Sequence, residues 1–310
     1  MTGPKQILTR AEAQKIIDQH DHFVFDCDGV IWLDDTLIPG VLETIEYLEE
    51  VGKLYVFVTN NSSKSRQDYV DKFETLGFKG ITKDHIFPTC YAAALEIKLL
   101  GVPLNSKVWV LGDKGIEEEL REMGYQPVGG SDPSLNVDFD IKSDLLRVDS
   151  DVKAVVVGST KDLNYMRIAA TLQYLLHNDK LIPFIGANID RSYPAGDGII
   201  LPAGGSVVNY MQFTSNRDFI NVGKPSTSFL DLIVKRVGFD KSRTIMVGDT
   251  LYTDIKFAND GDLATSLLVL SGGTKLPELH LTVASSDASL IPKYYIDSFG
   301  KIIDFLKQPN

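Results

Sequence analysis

The feature that most constrains this fold is a set of short segments that are apolar on nearly every residue and that alternate with helical patterns. The segment "HFVFD" (22–26) is followed by 39–52, whose apolar residues recur at helical spacing, and then by "LYVFVT" (54–59). Strands that are apolar on both faces and separated by helices indicate a parallel sheet covered on both sides. The sequence therefore predicts an α/β fold with a doubly wound, Rossmann-like parallel-sheet core.

The same alternation continues through the middle of the chain, but the strand ends there lack the same charged residues. Apolar segments such as "VWVLGDKG" and "KAVVVGSTKD" alternate with helical patterns, while the Asp-rich segment 129–151 is predicted to be a surface loop. From "FINVGKPS" (219–226) the first pattern returns, with a strand followed by a helix. We therefore predict that a second α/β module, residues 104–217, is inserted into a catalytic core formed by 1–103 and 218–310.

The net charge indicates which partners are disfavoured, and the cysteine content indicates the cellular compartment. The 310 residues include 31 Lys plus Arg and 42 Asp plus Glu, which gives a net charge of −11 at pH 7. This charge disfavours nucleic acid or an anionic membrane surface as a partner, so an anionic substrate must find local positive charge. The two cysteines, Cys27 and Cys90, favour a reduced compartment, and no apolar stretch reaches the roughly 18 residues of a membrane span. We therefore expect a cytoplasmic protein, with the nucleus as a further compartment.

Polar and charged side chains follow the predicted core strands at the point where each strand ends. The carboxyl ends of parallel strands meet at one edge of the sheet, where open α/β folds bind their ligands. Side chains alternate along a strand, so Asp26 and Asp28 can face the same region while Cys27 points away. The residues expected at this edge are Asp26, Asp28, Thr59, Asn60, Lys224, Asp249 and Asp254.

These carboxylates repel one another unless protons or a cation neutralise them. Oxygen ligands favour Mg²⁺, whereas the sequence offers neither a histidine cluster nor paired cysteines for zinc. A divalent cation together with Lys224 would attract a phosphate dianion, and Thr59 would supply a neutral donor. In such a site Asp26 can attack phosphorus as a nucleophile, and Asp28 can handle the proton.

Several other interpretations of the same residues are less favoured. A single Asp-x-Asp-Gly is also common in solvated turns and calcium loops, and Lys224 alone could be a surface lysine. The segment around Lys224 is not a Walker A loop, because Asp218 stands at the first Gly position and Pro225 stands where Ser or Thr is needed. No GxGxxG follows a strand, which disfavours a dinucleotide-binding fold. Cys27 is expected to be a buried structural thiol and not a redox group.

Four ordered segments resemble the motifs of the haloacid dehalogenase superfamily of phosphatases. They are "FDCDGVIW" (25–32), "VFVTNNSSKSR" (56–66), "VGKPS" (222–226) and "MVGDTLYTDI" (246–255). The long insertion between the second and third motifs resembles a C2-type cap. More narrowly, the chain is similar to the eukaryotic group of 4-nitrophenylphosphatases and phosphoglycolate phosphatases, which also contains pyridoxal phosphate phosphatases.

The resemblance implies a role for each motif residue. Asp26 would form a phospho-aspartyl intermediate, and Asp28 would protonate the leaving alcohol and then activate water. The implied Mg²⁺ ligands are the Asp26 carboxylate, the Asp28 backbone carbonyl and Asp249. Asp254 would support these ligands. The residues implied to hold the phosphoryl group are Thr59, Asn60 and Lys224.

The segment "GANIDRSYPAGDG" (186–198) could be a solvated turn, but C2 caps place a specificity loop in this position. The resemblance therefore implies substrate contacts by Asn188, Asp190 and Arg191, with Arg191 pairing with a substrate carboxylate. The expected substrates are small phosphorylated metabolites, foremost 2-phosphoglycolate and related acids, with 4-nitrophenyl phosphate as an artificial substrate. Pyridoxal phosphate or a sugar phosphate is the alternative substrate, and a phosphometabolite-binding regulator without turnover is the alternative from another functional class. Relatives suggest a homodimer.

Overall fold

The computed structural model describes residues 3–177, 179, 181–194, 199–285 and 287–308. The chain forms two compact units. The first unit comprises Met1–Thr59, Lys72–Phe87 and Lys224–Asn310, and the second comprises Asn60–Asp71 and Pro88–Gly223. Residues 60–71 and 88–103 therefore lie in the second unit, although the sequence analysis assigned them to the catalytic core. The predicted limits of the catalytic and cap domains stay a prediction.

The strands of both units are short, with at most six residues each. In chain order they are β1 (Lys5–Gln6), β2 (His22–Phe25), β3 (Trp32–Leu33), β4 (Thr36–Leu37), β5 (Leu54–Thr59), β6 (Ile86–Pro88), β7 (Lys107–Leu111), β8 (Gln126–Gly129), β9 (Val152–Val157), β10 (Phe184–Gly186), β11 (Ser192–Pro194), β12 (Ile200–Pro202), β13 (Ile220–Asn221), β14 (Thr244–Gly248), β15 (Thr265–Val269) and β16 (Tyr294–Ile296).

The helices alternate with these strands along most of the chain. They are α1 (Arg10–Gln19), α2 (Val41–Glu50), α3 (Arg66–Thr75), α4 (Thr89–Leu99), α5 (Lys114–Glu122), α6 (Tyr165–Leu176), α7 (Gly204–Ser215), α8 (Thr227–Val237), α9 (Lys256–Asp260), α10 (Leu276–Ser285) and α11 (Lys301–Leu306). Among the described helices, none combines the length and the apolar character that crossing a bilayer requires.

The first unit is built on a seven-stranded sheet with the order β1-β16-β15-β14-β2-β5-β6. The pairings from β1 to β5 are parallel, and the register aligns Val24 of β2 with Val56 of β5 and with Met246 of β14. Every residue of β14 and β15 is buried, as a strand covered on both faces requires. The predicted α/β class with a parallel-sheet core is confirmed.

Aromatic side chains fill the interior of the first unit beside β2 and β5. The ring centroid of Phe25 lies 4.8 Å from that of Phe299, and the Phe57 ring lies 4.2 Å from the Phe73 ring. All four side chains are buried. Such ring pairs stabilise a fold by about 0.5–1.5 kcal/mol beyond the burial of their area, so this cluster holds β2 and β5 at a fixed position.

Local sequence signals set the limits of the first helices. The Thr9 hydroxyl accepts from Glu12 N at 3.3 Å, and the Glu12 carboxylate accepts from Thr9 N at 3.2 Å. This reciprocal pair forms a capping box at the start of α1. After α2, Gly52 has a φ of +72°, a conformation that L-residues with side chains rarely adopt, and the helix ends just before it.

The second unit carries a five-stranded, fully parallel sheet with the order β13-β10-β9-β7-β8. Its core includes Trp109 of β7, whose ring stacks on Tyr174 of α6 at a centroid distance of 4.5 Å. The Trp109 indole N–H donates to Thr171 Oγ1 at 2.8 Å, so the buried donor is satisfied. The predicted strands and helices of residues 107–186 are present, and segment 129–151 contains no helix beyond short 3₁₀ turns.

Three features of the chain differ from the sequence-based expectation. The strand in "FINVGKPS", assigned to the catalytic core, is β13 and pairs with β10 in the sheet of the second unit. The helices α7 and α10 were not predicted. Strand β11 lies inside the predicted specificity loop and pairs with β12 as an antiparallel hairpin. These elements are short or lack clear periodicity, so only their tertiary partners define them.

Candidate active site

Three neighbouring strands of the first unit end at one edge of its sheet. Asp26 directly follows β2, Asp249 directly follows β14, and Thr59 is the last residue of β5. The Asp26 N–H donates to Val247 O at 2.9 Å, so the ladder between β2 and β14 continues up to this aspartate. The sheet thus brings together residues that are more than 200 positions apart in the sequence, at the edge where open α/β sheets bind ligands.

Lys224 is a lysine that is only 1% exposed, and it reaches this edge from the segment before α8. Its ammonium donates to Asp26 Oδ1 at 2.7 Å and to Val58 O at 2.9 Å. It also lies 2.7 Å from Asp254 Oδ1. No well-aligned hydrogen bond reaches that buried oxygen among the described residues, so the contact is an ion pair. Lys224 therefore joins two carboxylates from different strand ends.

Asp254 fixes the turn that follows β14. It lies in a π-helical turn, Leu251–Ile255, and it is completely buried. Its Oδ2 accepts from the backbone N–H groups of Asp249 and Thr250, both at 3.0 Å. This carboxylate therefore satisfies two backbone donors at a helix start while its other oxygen faces Lys224.

The position of Asp249 depends on glycines that leave room for its carboxylate. Its Oδ1 accepts from Thr250 Oγ1 at 3.1 Å, and its Oδ2 accepts from the Gly273 N–H. A Cβ atom at Gly272 would lie 2.0 Å from Asp249 Oδ2, and one at Gly29 would lie 2.5 Å from it. Gly29 also has a φ of +83°. Both positions therefore require glycine for the observed carboxylate geometry.

Burial and mutual repulsion raise the pKa values of the clustered carboxyl groups. Burial raises the pKa of Asp26 well above its usual range, and Asp254 and Asp249 raise it further, although Lys224 opposes this. Burial, followed by the charge of Asp254, raises the pKa of Asp249 to about 7. Burial alone would lower the pKa of Lys224, but the charges of Asp254 and Asp26 outweigh it and raise that pKa. The protein thus holds several carboxylates where their negative charge is only partly compensated.

This arrangement fits a divalent cation. Oxygen atoms of Asp26, Asp249 and Asp254 all lie within 4.8 Å of one another. A hard cation such as Mg²⁺ prefers carboxylate oxygens and would supply the charge that Lys224 alone does not. Asp26 Oδ1 accepts from Lys224, and among the described residues no group donates to Asp26 Oδ2, so this oxygen is available to a ligand.

Asp28 lies apart from the buried cluster, since its side chain is exposed. Its Oδ1 accepts from the indole N–H of Trp32 at 2.8 Å. The Trp32 side chain is fully buried, and the Lys72 ammonium lies 4.3 Å from its ring centroid. No role for Trp32 was predicted from the sequence, although its place four residues after Asp28 within the first motif was a usable signal. Trp32 holds Asp28 in one orientation while leaving it open to solvent.

The other residues predicted for the site lie in the second unit. Asn60 and Asn188 are buried there, and the Asn188 amide donates to Asn60 O at 2.8 Å. Arg191 is exposed, and its guanidinium has no hydrogen bond or ion pair among the described residues. Asp190 is partly exposed. Residues 195–198 of the predicted specificity loop lie outside the described residues.

Neither cysteine is placed for reactivity. Cys27 and Cys90 are both buried and unpaired in disulfides. Burial raises the pKa of each thiol well above its usual range, which keeps the thiol protonated. Their environment supports the expected structural role of Cys27.

Family comparisons agree with the motifs on which the site is built. A model of haloacid dehalogenase-like hydrolases matches residues 23–126, and a second model, described as HAD-hydrolase-like, matches residues 221–301. These two ranges contain the predicted residues Asp26, Asp28, Thr59, Asn60, Lys224, Asp249 and Asp254.

Individual relatives extend this similarity over nearly the whole chain. Phosphoglycolate phosphatase 1A of Arabidopsis thaliana is 40% identical over 98% of this chain and 82% of its own length. The 4-nitrophenylphosphatase of Schizosaccharomyces pombe is 36% identical over 97% of this chain and 99% of its own. Among solved structures, a p-nitrophenyl phosphatase from Archaeoglobus fulgidus matches with a TM-score of 0.77, 28% identity and coverage of 92% of this chain and 98% of that one. The chain therefore belongs to the haloacid dehalogenase-like hydrolases, and it is a phosphoric monoester hydrolase of that family.

Proposed function

We propose that this protein is a Mg²⁺-dependent phosphomonoesterase that acts on small phosphorylated metabolites through a phospho-aspartyl intermediate. One observation carries the proposal. Lys224 pairs with one oxygen of Asp26 at 2.7 Å, inside a group of buried carboxylates, and leaves the other oxygen available. A buried lysine beside a carboxylate cluster is costly for folding alone, so its presence favours a catalytic use.

In the first step, Asp26 Oδ2 attacks the phosphorus atom of the substrate. A new bond forms between this oxygen and phosphorus, and the bond between phosphorus and the ester oxygen breaks. The departing alkoxide takes a proton from the Asp28 carboxyl group and leaves as an alcohol. The hydrogen bond from the Trp32 indole would orient Asp28 for this transfer.

In the second step, Asp28, now a carboxylate, takes a proton from water while the water oxygen attacks phosphorus. The bond between phosphorus and Asp26 Oδ2 breaks, inorganic phosphate is released, and both aspartates return to their starting states. Asp28 suits this role because its exposed side chain can meet both the leaving group and water.

The charge on the phosphoryl group needs compensation in both steps. The residues that would hold Mg²⁺ are the Asp26 carboxylate, the Asp28 carbonyl and Asp249, with Asp254 held between Lys224 and backbone donors in support. When bound, the cation would neutralise the phosphoryl oxygens and the surrounding carboxylates. Thr59, Asn60 and Lys224 would donate to the remaining phosphoryl oxygens.

For the substrate, we favour phosphorylated small acids, foremost 2-phosphoglycolate. The name of the Arabidopsis thaliana relative supports this class, and the exposed Arg191 guanidinium offers a cation for a substrate carboxylate. The name of the Schizosaccharomyces pombe relative supports 4-nitrophenyl phosphate as an assay substrate. The cytoplasm is the compartment that we propose, because both cysteines are free thiols. The expected homodimer stays a prediction.

The proposal is tested by a phosphate-release screen over a panel of phosphorylated acids, sugar phosphates and pyridoxal phosphate, with Mg²⁺ present. We expect 2-phosphoglycolate to give the highest kcat/KM among the metabolites. In parallel, acid quenching during turnover followed by mass spectrometry of the peptide that contains Asp26 should detect one added phosphoryl group. Turnover without this adduct, at quench times shorter than one turnover, would contradict the covalent mechanism. No turnover on any member of the panel would favour the regulator without turnover.

A further inference from the structure

The chain that follows β5 is held by the second unit through contacts to its backbone. We call residues 60–65 the phosphate segment, because Asn60 is proposed to contact the phosphoryl group. The Asn60 carbonyl accepts two hydrogen bonds, from Asn188 Nδ2 at 2.8 Å and from Thr89 Oγ1 at 3.0 Å. All three residues are buried, with exposed fractions of 7% or less. Two side chains from different elements therefore fix the backbone of Asn60.

Two further residues of the phosphate segment, Ser62 and Ser63, also bond to other elements of the second unit. Ser62 is fully buried, and its Oγ accepts from Ser159 N at 3.0 Å. The Gly115 N–H donates to Ser63 O at 3.2 Å. A Cβ at Gly115 would lie 2.7 Å from backbone carbons of the segment, so the two chains are in direct contact. The segment is thus a packed part of the second unit.

Asn188 differs from the other residues that contact the phosphate segment, because both its amide nitrogen and its amide oxygen form hydrogen bonds. Its Nδ2 donates to Asn60 O, and its Oδ1 accepts from Asp190 N at 2.6 Å. One side chain therefore connects the phosphate segment to the segment that carries Asp190 and Arg191. The amide supplies a donor on one side and an acceptor on the other, whereas an aspartate carboxylate only accepts and would place an oxygen against the Asn60 carbonyl.

The Asn60 side chain is confined as well. A Cβ at Gly223 would lie 2.8 Å from Asn60 Oδ1, so the backbone just before Lys224 is in close contact with this amide. The Asn60 side chain therefore has little free space on the side of Gly223. The geometry makes the position of Asn60 sensitive to the bond that Asn188 donates.

We propose that Asn188 is a positioning residue that sets Asn60 for phosphate binding and links this position to the segment of Asp190 and Arg191. The inference rests on the proposed function, in which Asn60 contacts the phosphoryl group. It assigns Asn188 a role through Asn60 and no direct contact with substrate. Loss of its donor should therefore weaken binding of phosphate itself, whatever group the phosphate is attached to.

The test compares Asn188→Asp with Asn164→Asp. Asn164 is a matched control in the same unit, because its Nδ2 donates to Leu135 O at 2.8 Å and its Oδ1 accepts from Arg167 N at 2.9 Å. With Mg²⁺ present, Asn188→Asp should lower kcat/KM for 4-nitrophenyl phosphate about tenfold and raise the inhibition constant of inorganic phosphate by a similar factor. Asn164→Asp should leave both within about twofold.

A double-mutant cycle separates positioning from general damage to the fold. In the Asn60→Ala background, Asn188→Asp should change kcat/KM by no more than about twofold, because the side chain that it positions is gone. An equal loss in both backgrounds would overturn the inference. If Asn188→Asp does not fold, Thr89→Val, which removes the other donor to Asn60 O, takes its place with the same expected pattern and a smaller effect.

The outcomes distinguish this inference from the proposed function. If the wild-type protein hydrolyses 4-nitrophenyl phosphate and Asn188→Asp behaves like Asn164→Asp, the inference is wrong and the proposed function stands. If the wild-type protein releases no phosphate from any substrate of the panel, the proposed function fails and the inference fails with it.

Discussion

The two parallel sheets of this protein use their carboxyl ends differently. In the first unit, the ends of β2 and β14 carry Asp26 and Asp249, and Asp26 pairs with the buried Lys224. In the second unit, the segments after β7 and β9 contain glycine and serine, and their backbone N–H groups donate to the phosphate segment, from Gly115 to Ser63 O and from Ser159 to Ser62 Oγ. The same sheet geometry therefore leaves a site for a ligand in one unit and holds the protein's own chain in the other.

This difference shows that a parallel sheet places residues at the carboxyl ends of its strands, and that the type of those residues decides whether a ligand or a protein segment binds there. Small residues after β7 and β9 allow a peptide chain to approach within hydrogen-bonding distance, as Ser62 and Ser159 show. The aspartates after β2 and β14 repel one another and need a cation or protons to balance their negative charge. Asp113, two residues after β7, is the aspartate of the second unit that most resembles those of the first in placement.

The largest expected effect tests whether strand-end aspartates are equivalent. Asp26→Asn keeps the size of the side chain but removes the attacking charge, so kcat should fall about a thousandfold or more. Asp113→Asn, the matched change in the second unit, should leave kcat within a few-fold. Steady-state assays with 4-nitrophenyl phosphate, with thermal unfolding as a check on folding, measure both. Substantial activity in folded Asp26→Asn would contradict the role of Asp26 as nucleophile and its difference from Asp113.

Removal of metal should affect only the site of the first unit. EDTA should abolish activity and Mg²⁺ should restore it, whereas Ca²⁺ should restore it poorly because its looser coordination misplaces the phosphoryl group. Metal at about 100 times its Kd stabilises a protein by about 2.7 kcal/mol, so Mg²⁺ should raise Tm by several degrees. This rise should persist in Asp113→Asn and disappear in Asp249→Asn. Full activity after exhaustive chelation would contradict the metal assignment.

The next effect concerns the substrate and the exposed cation of the second unit. A charge-assisted hydrogen bond contributes about 1.5–3 kcal/mol, so Arg191→Ala should lower kcat/KM for 2-phosphoglycolate about 10- to 100-fold. The value for 4-nitrophenyl phosphate, which has no carboxylate, should change much less. Both substrates are measured at the same Mg²⁺ concentration. An equal loss on both would indicate a structural role for Arg191, and no loss on either would exclude it from substrate recognition.

The smallest expected effect compares two indole donors. Trp32→Phe removes the N–H that orients Asp28, so kcat for 4-nitrophenyl phosphate should fall about three- to tenfold while KM changes little. Trp109→Phe removes a hydrogen bond of equal length, to Thr171, in the second unit. It should cost about 1 kcal/mol of unfolding free energy and leave kcat unchanged. A lower kcat in both variants would mean that loss of stability explains the effect of Trp32→Phe.

The central strands of the first sheet could be predicted, because each is an apolar segment that ends in a polar residue. "HFVFD", "LYVFVT" and "RTIMVGD" each have an apolar centre followed by a polar residue, and all three are neighbouring strands of one sheet. The position of Asp26 at the carboxyl end of such a strand followed from this pattern. Alternation of β and α elements then predicted a parallel sheet without any knowledge of strand order.

The strand before Lys224 shows where this reasoning failed. "FINVGKPS" has the composition of a core strand, but β13 pairs with β10 in the other unit. A short apolar segment can add to the edge of either sheet, and its own residues carry no information about which. Lys224 still meets Asp26, because its ammonium reaches Asp26 and Val58 from the segment before α8.

Residue types and local patterns were enough to predict the kind of chemistry, because carboxylates, a lysine and a threonine at strand ends suit few ligands other than a metal and a phosphate. Distances were not available from the pattern. Three hydrogen bonds depend on packing and could not be read from the sequence. They join Lys224 to Asp26 at 2.7 Å, the Trp32 indole to Asp28, and the Asn188 amide to the Asn60 carbonyl. Such contacts depend on how strands, turns and helices pack against one another, and only the tertiary structure shows that packing.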